Sequence, residues 1–163
     1  MSETHARCRL IPSLTVDGAK EAIEYYQRVF GARELSKPMI GPNGKVMHAE
    51  LALGDFIFFV NDEFPEMGAI SPKNLGGTAV TLQIYVEDAD KTHSEAVGSG
   101  AKSLMEPADM FWGDRYGMVI DPWGHRWGVG TPKEKVSPDE LERRMKQVTE
   151  QMQHGKGEDS SAA

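Results

Sequence analysis

The sequence predicts an α+β fold: two βαβββ modules forming a cupped, eight-stranded mixed sheet around a cavity, followed by a C-terminal helix. Two sequence patterns carry this, and the chain's size allows it. Strand-like and helical periodicities follow one another in the same order twice. Their landmarks recur at an offset of 69–70 residues: Val16-Asp17 and Val86-Glu87-Asp88 each open a helical pattern, Gly31 and Gly100 each close one, and Gly54 and Gly124 each lie between two strand-like runs. The chain has 163 residues, 39% of them hydrophobic and 26% charged. A chain of this length buries roughly 70% of its unfolded surface, so it builds a core without covalent staples.

Module one spans residues 8–61. Arg9 to Val16 alternates as a strand, with Leu10, Leu14 and Val16 on one face and Ile11, Ser13 and Thr15 on the other. Pro12 marks an edge position or a bulge. Asp17 is the expected helix N-cap, Ala19, Ala22, Ile23, Tyr26 and Phe30 recur at helical spacing, and Gly31 is the expected stop. A further strand is expected over 33–40, and Gly41-Pro42-Asn43-Gly44 is a turn. Val46–Leu53 and Phe56–Val60 read as a hairpin across Gly54-Asp55. Residues 62–77, with three glycines and two prolines, read as the linker.

Module two, 78–131, repeats the plan: a strand over Ala79–Val86, a helix from Asp88 to Gly98, and a short strand near Lys102–Met105. A loop to Asp114 and strands over Tyr116–Ile120 and Arg126–Gly130 complete it. Ser137-Pro138-Asp139-Glu140 is a capping box that opens the last helix, within 132–153. Its stripe of Leu141, Met145, Val148 and Met152 implies docking on the body of the chain, or alternatively on a second subunit. The tail 154–163 is polar and expected to be disordered.

Composition narrows the function. The formal net charge is −7 with no basic stripe, which argues against nucleic acid as a partner. No run reaches the roughly 18 apolar residues of a membrane span, and the first residues lack the pattern of a secretory leader. A cytoplasmic location is therefore expected. The single cysteine, Cys8, allows no intrachain disulfide and no multi-cysteine zinc site. Neither a Lys-bearing phosphate loop nor a Gly-x-Ser-x-Gly elbow is present.

The duplicated plan resembles the vicinal oxygen chelate superfamily, the fold of glyoxalase I, bleomycin-resistance proteins and extradiol dioxygenases. The resemblance covers about residues 8–131. Met47-His48-Ala49-Glu50-Leu51-Ala52-Leu53-Gly54-Asp55 is similar to the PhnB-like branch. So are Asp109-Met110-Phe111-Trp112-Gly113-Asp114-Arg115-Tyr116-Gly117 and Asp121-Pro122-Trp123-Gly124-His125-Arg126-Trp127. It implies a cavity on the helix-free face of the sheet, and a homodimer that covers the sheet's edges. Metal-dependent members place two ligands in each module. Carried over, those positions fall on Ile11, Phe58, Thr81 and Gly128, none a useful side-chain ligand for a transition metal. No metal and no other cofactor is therefore expected, and chemistry that needs the ion is disfavoured.

The face opposite the helices carries Ser13, Thr15, Thr81, Gln83 and Tyr85. These groups can hydrogen-bond a ligand, or one another. Phe58 is added to that lining. Phe111-Trp112-Gly113-Asp114-Arg115 suits a lid in which Trp112 stacks on a planar ligand and Arg115 pairs with an anionic group; alternatively Asp114 and Arg115 brace the loop. Trp123 reads as a packing anchor. His48 and Glu50, two apart on a strand, share the cavity face and form a candidate acid–base couple. With His125 they are also candidate ligands of a relocated metal, and the plainer alternative is a structural pair. Three functions follow: a metal-free protein that binds a small organic molecule, a lyase or isomerase (or dioxygenase-related enzyme) using His48 and Glu50, or an interaction module working through the last helix.

Overall fold

The computed structural model describes residues 9–158, with side chains described through Met152. In module one, β1 (Ser13–Val16) leads into α1 (Ala19–Phe30), the short strands β2 (Arg33–Glu34) and β3 (Met39–Ile40), then the hairpin of β4 (Val46–Leu53) and β5 (Phe56–Asp62). The linker holds a 3-10 turn at Pro65–Met67 and a one-turn helix, α2 (Pro72–Leu75). Module two comprises β6 (Thr81–Tyr85), α3 (Ala89–Gly98), β7 (Lys102–Asp109), β8 (Asp114–Ile120) and β9 (Arg126–Pro132), and α4 (Pro138–Glu158) follows. The first strand of each module pairs in parallel with the last, β1 with β5 and β6 with β9. Their neighbours pair antiparallel.

The strands divide between two sheets, ordered β1-β5-β4-β2 (with β3 also on β4) and β6-β9-β8-β7. Among the described residues no strand of one sheet pairs with a strand of the other, so each module supplies its own half-sheet, and β1 and β6 are free edges. The arrangement follows from where the apolar residues go. Both sheets turn their helix-bearing faces to a single core, with Leu14, Val16, Leu51, Phe58 and Val60 from one and Val119 and Trp127 from the other. The apolar stripe of α1 enters that core as its spacing predicts. The Tyr26 ring packs with Phe30 and Phe58 on its own module and with Trp123 and Trp127 on the other. The helix-free faces point away from this core.

Two buried carboxylates hold the arrangement. Asp121, 3% exposed, accepts from the Tyr26 hydroxyl at 2.8 Å, the Trp127 indole at 2.9 Å, and the backbone N–H groups of Trp123 and His125. Burial, then the Asp121 charge, push the Tyr26 phenol well above its ordinary range. Asp62 lies opposite Val16 in the β1–β5 register and accepts from Gly18 N, Ala19 N and Val46 N. It therefore caps α1, in place of the Asp17 expected from the sequence. The N-cap position is Gly18, whose φ of 99° suits glycine, and its own side chain offers no acceptor. In module two Asp88, where the helix was expected to begin, caps α3 through Lys91 N.

The last helix differs from its expected docking. It starts at Pro138 with Ser137 accepting from Glu140 N, and runs to Glu158, beyond residue 153. Leu141, Met145 and Met152 nevertheless stay exposed. Arg144, braced by Glu140 one turn earlier on the same helix, tethers it by pairing with Glu134 and donating to the Phe111 carbonyl. Charge, rather than the apolar stripe, makes the contact. Cys8 and residues 159–163 lie outside the described residues.

Candidate ligand-binding site

The helix-free face of the first sheet carries Ser13, Thr15, His48 and Glu50 as the strand periodicity requires. The register adds Phe59 opposite Ser13 and Asn61 opposite Thr15. Asn61 donates to Thr15 Oγ1 at 3.2 Å, and Ser13 Oγ lies 3.4 Å from Asn61 Oδ1. The two hydroxyls are thus joined through an amide that the sequence reading missed; its place in alternation with Phe59 was the available signal. His48 Nε2 sits 3.3 Å from Glu50 Oε1, and its ring centroid lies 4.6 Å from that of Phe59. Both side chains are part-exposed, 38% and 40%. Met47, which precedes His48, is exposed, and β3 pairs with β4 through an irregularity there: Ile40 faces Val46 and Met39 faces His48.

The helix-free face of the second sheet is more aromatic. Thr81, Gln83 and Tyr85 are exposed along β6. Next to them β9 presents Gly128 and Gly130, which leave a floor onto which the Tyr116 and Tyr85 rings lean. Asp114 Oδ2 accepts from the Tyr85 hydroxyl at 3.1 Å and from the Trp112 indole N–H at 3.0 Å, and the Tyr85 hydroxyl in turn accepts from Gln83 at 3.4 Å. The Trp112 ring meets Tyr116 edge-on at 5.8 Å. Partial burial, then the hydrogen bond to Asp114, raise the Tyr85 phenol above its ordinary range. Arg115 turns elsewhere. It forms a bidentate pair with Asp90, at 2.7 and 2.8 Å, and reaches Asp109 at 3.4 Å. The guanidinium that the sequence offered to an anionic ligand is committed to two carboxylates, and Asp114 braces aromatic groups instead of Arg115.

A cleft of about 890 Å³ lies between the Arg9–Pro12 segment, the hairpin end from Leu53 to Phe58, and β6, with Phe30 and Trp127 in its wall. Of the residues expected to line a cavity, Phe58, Gln83 and Tyr85 do so here, whereas Ser13, Thr15, Thr81, Trp112 and Arg115 are not among its lining residues. Gln83 and Tyr85 connect the cleft to the aromatic face through their bonds to each other and to Asp114. Phe58 also contacts Tyr26 and Trp127 in the core.

The positions that hold metal ligands in the resembled superfamily can now be tested on geometry. Gln83 pairs with Gly128 and Ser13 with Phe59, so register makes Phe59, rather than Phe58, the partner position of Gly128. Counting from the turn glycines misses this by one residue, because the last strand pairs with the first one residue further along in module one than in module two. The set then reads Ile11, Phe59, Thr81 and Gly128, and it offers no strong donor. A Cβ added at Gly128 would overlap the Tyr116 hydroxyl, so that ring fills the space into which a side chain at 128 would project. These residues do not fit a transition-metal centre. His125, considered as a third ligand beside His48 and Glu50, donates from Nε2 to the Thr15 carbonyl at 2.9 Å. Among the described residues no three His, Cys, Asp or Glu side chains group as a metal site.

A cleft beside two βαβββ modules, each with one bare sheet face, defines a class of protein. Residues 6–129 match the family model of the Glyoxalase/Bleomycin resistance protein/Dioxygenase superfamily, and the chain belongs to that superfamily. An uncharacterized protein of Mycobacterium tuberculosis (strain ATCC 25618 / H37Rv) is 41% identical over 139 residues, covering 83% of this chain and 81% of the relative. A gene product from Arabidopsis thaliana is 27% identical with a TM-score of 0.61, over 75% of this chain and 97% of that one. A PhnB protein from Bacillus cereus, described as a 3-demethylubiquinone-9 3-methyltransferase by inference, shares the fold at 18% identity and a TM-score of 0.59, over 76% of this chain and 99% of its own.

Proposed function

We propose that this chain is a glyoxalase/bleomycin-resistance-like protein that binds a small organic molecule, and that it does so without the superfamily's metal ion. One observation carries the reading: Gly128 stands at a ligand position, and the Tyr116 ring occupies the space before it. Replacing a ligand by glycine and filling the gap with a phenol removes Lewis-acid chemistry from the site but leaves a surface that can stack and hydrogen-bond. The cleft supports the same reading. Its wall combines Leu10, Ile57, Phe58, Leu82 and Ile84 with the polar Gln83 and Tyr85, the mixture expected of an organic-ligand site. Two copies are proposed to associate through the free edges of β1 and β6, which would otherwise expose unpaired backbone groups, and so to bring one copy's bare face toward the other's.

The test is a thermal-shift screen of metabolites and drug-like compounds in the presence of a chelator. A ligand that raises the melting temperature and is recovered unchanged supports the reading; turnover of that ligand overturns its pure-binding form. A second reading rests on the 3.3 Å contact of His48 with Glu50 on an accessible face, which fits an acid–base couple of a lyase or isomerase. It predicts that His48→Ala abolishes an activity, or ligand-dependent proton exchange, without lowering stability.

A further inference from the structure

The helix-free face of the second sheet carries an imbalance of charge that small-molecule binding alone does not explain. Asp114 is a carboxylate surrounded by aromatic groups. Tyr85 and Trp112 donate to its Oδ2 from either side, and Tyr116 stands against Trp112. Its chain neighbour Arg115 is the natural counterion but is held by Asp90 and Asp109. Among the described residues no Lys, Arg or His lies within ion-pair distance of Asp114. The rings beside it are open to a ligand, with Tyr85 59% and Trp112 36% exposed. Gly128 and Gly130 keep the floor beneath flat, since a side chain at either would push into the tyrosine rings.

Aromatic faces attract cations through their quadrupoles, and a carboxylate without an ionic partner attracts them too. A neutral or anionic ligand would leave Asp114 unbalanced as it was desolvated, at a cost. We propose that this face, extending the small-molecule reading on which it rests, selects a planar organic cation. The ligand stacks on Tyr85 and Trp112 and sets its positive charge against Asp114, while Gln83 and Tyr85 lead its apolar remainder toward the cleft. The overall charge of −7 acts in the same direction, as weak steering.

The experiment is a calorimetric titration of the full chain with three probes of similar shape: N-methylquinolinium, neutral quinoline at pH 8, and naphthalene-2-sulfonate. The cation should bind about tenfold more tightly than quinoline, and more weakly as salt is added. Asp114→Asn should weaken the cation about tenfold and leave quinoline unchanged. Should that variant fold poorly, Trp112→Leu serves, lowering affinity for both ring systems. Equal binding of cation and quinoline, or no effect of Asp114→Asn, overturns the choice of a cation while leaving small-molecule binding intact. If no probe binds, the cation class falls, and the broader reading is then decided separately by the thermal-shift screen.

Discussion

Asp121 is the residue on which most of the interior polar chemistry converges. Its four donors come from α1, from β9 and from the turn between β8 and β9, so one carboxylate ties the modules together. Removing it leaves a buried phenol, an indole N–H and two backbone N–H groups without an acceptor. Asp121→Ala should therefore cost about 3 kcal/mol or more, whereas Tyr26→Phe, which removes one donor and keeps the ring, should cost about 1 kcal/mol. Urea denaturation of both variants checks the ratio. The sequence marked this turn through Asp121-Pro122-Trp123-Gly124 but could not reveal who donates to the aspartate, because Tyr26 is 95 residues away. Trp123 illustrates the easier case. A large aromatic after proline in a turn reads as an anchor, and its indole does donate to the Asp17 carbonyl at 2.9 Å.

At the scale of elements, periodicity was a sound guide wherever one face is buried. The α1 stripe and the alternation of β6 emerged with the expected faces, and the β4–β5 hairpin formed across Gly54-Asp55 as expected. It failed where a tertiary partner overrides local chemistry. The α1 cap comes from Asp62, across a parallel pair, so Asp62→Ala should destabilise the protein by about 2 kcal/mol, and Asp17→Ala by much less. Thermal melts of the two variants separate them. The α4 helix was legible in its capping box but not in its placement, which depends on Arg144 reaching Glu134 and Phe111, while Glu140 pairs with Arg143 and Arg144 within the helix. Hydrogen bonds from Arg143, then Arg144, lower that carboxyl to about 2 from an ordinary 4.5. A depressed carboxyl stabilises above its unfolded value, so this contribution is present above pH 4.5 and lost as pH falls through about 2. Both partners are solvent-facing, so the effect is small and sensitive to salt. Circular dichroism should show Glu140→Gln with less helix than the parent at neutral pH, the two converging near pH 2.

For the whole molecule, the 70-residue repeat in the sequence was enough to specify two modules but not how they meet. The halves share a helix-lined core and turn their bare faces outward, so the expected arrangement of mixed strands is built as two sheets, which no β-pairing joins among the described residues. Which edges join is a matter of shape, and no local pattern encodes it. Sedimentation velocity should therefore find a dimer at micromolar concentration; a monomer would leave the β1 and β6 edges uncovered and contradict the proposed pairing. The candidate residues were legible by face rather than by partner. Ser13, Thr15, His48, Glu50, Gln83 and Tyr85 lie on helix-free faces, whereas Arg115 is consumed by Asp90 and Phe58 belongs partly to the core.

The central claim, that this superfamily member works without the family's metal, is met most directly by the metal content of the purified chain. Untagged protein is to be expressed in medium supplemented with manganese, nickel, zinc and iron, purified without chelator, and analysed by plasma mass spectrometry. Every transition metal should then lie far below stoichiometry with the protein fully folded. A stoichiometric metal that resists dialysis would contradict the claim.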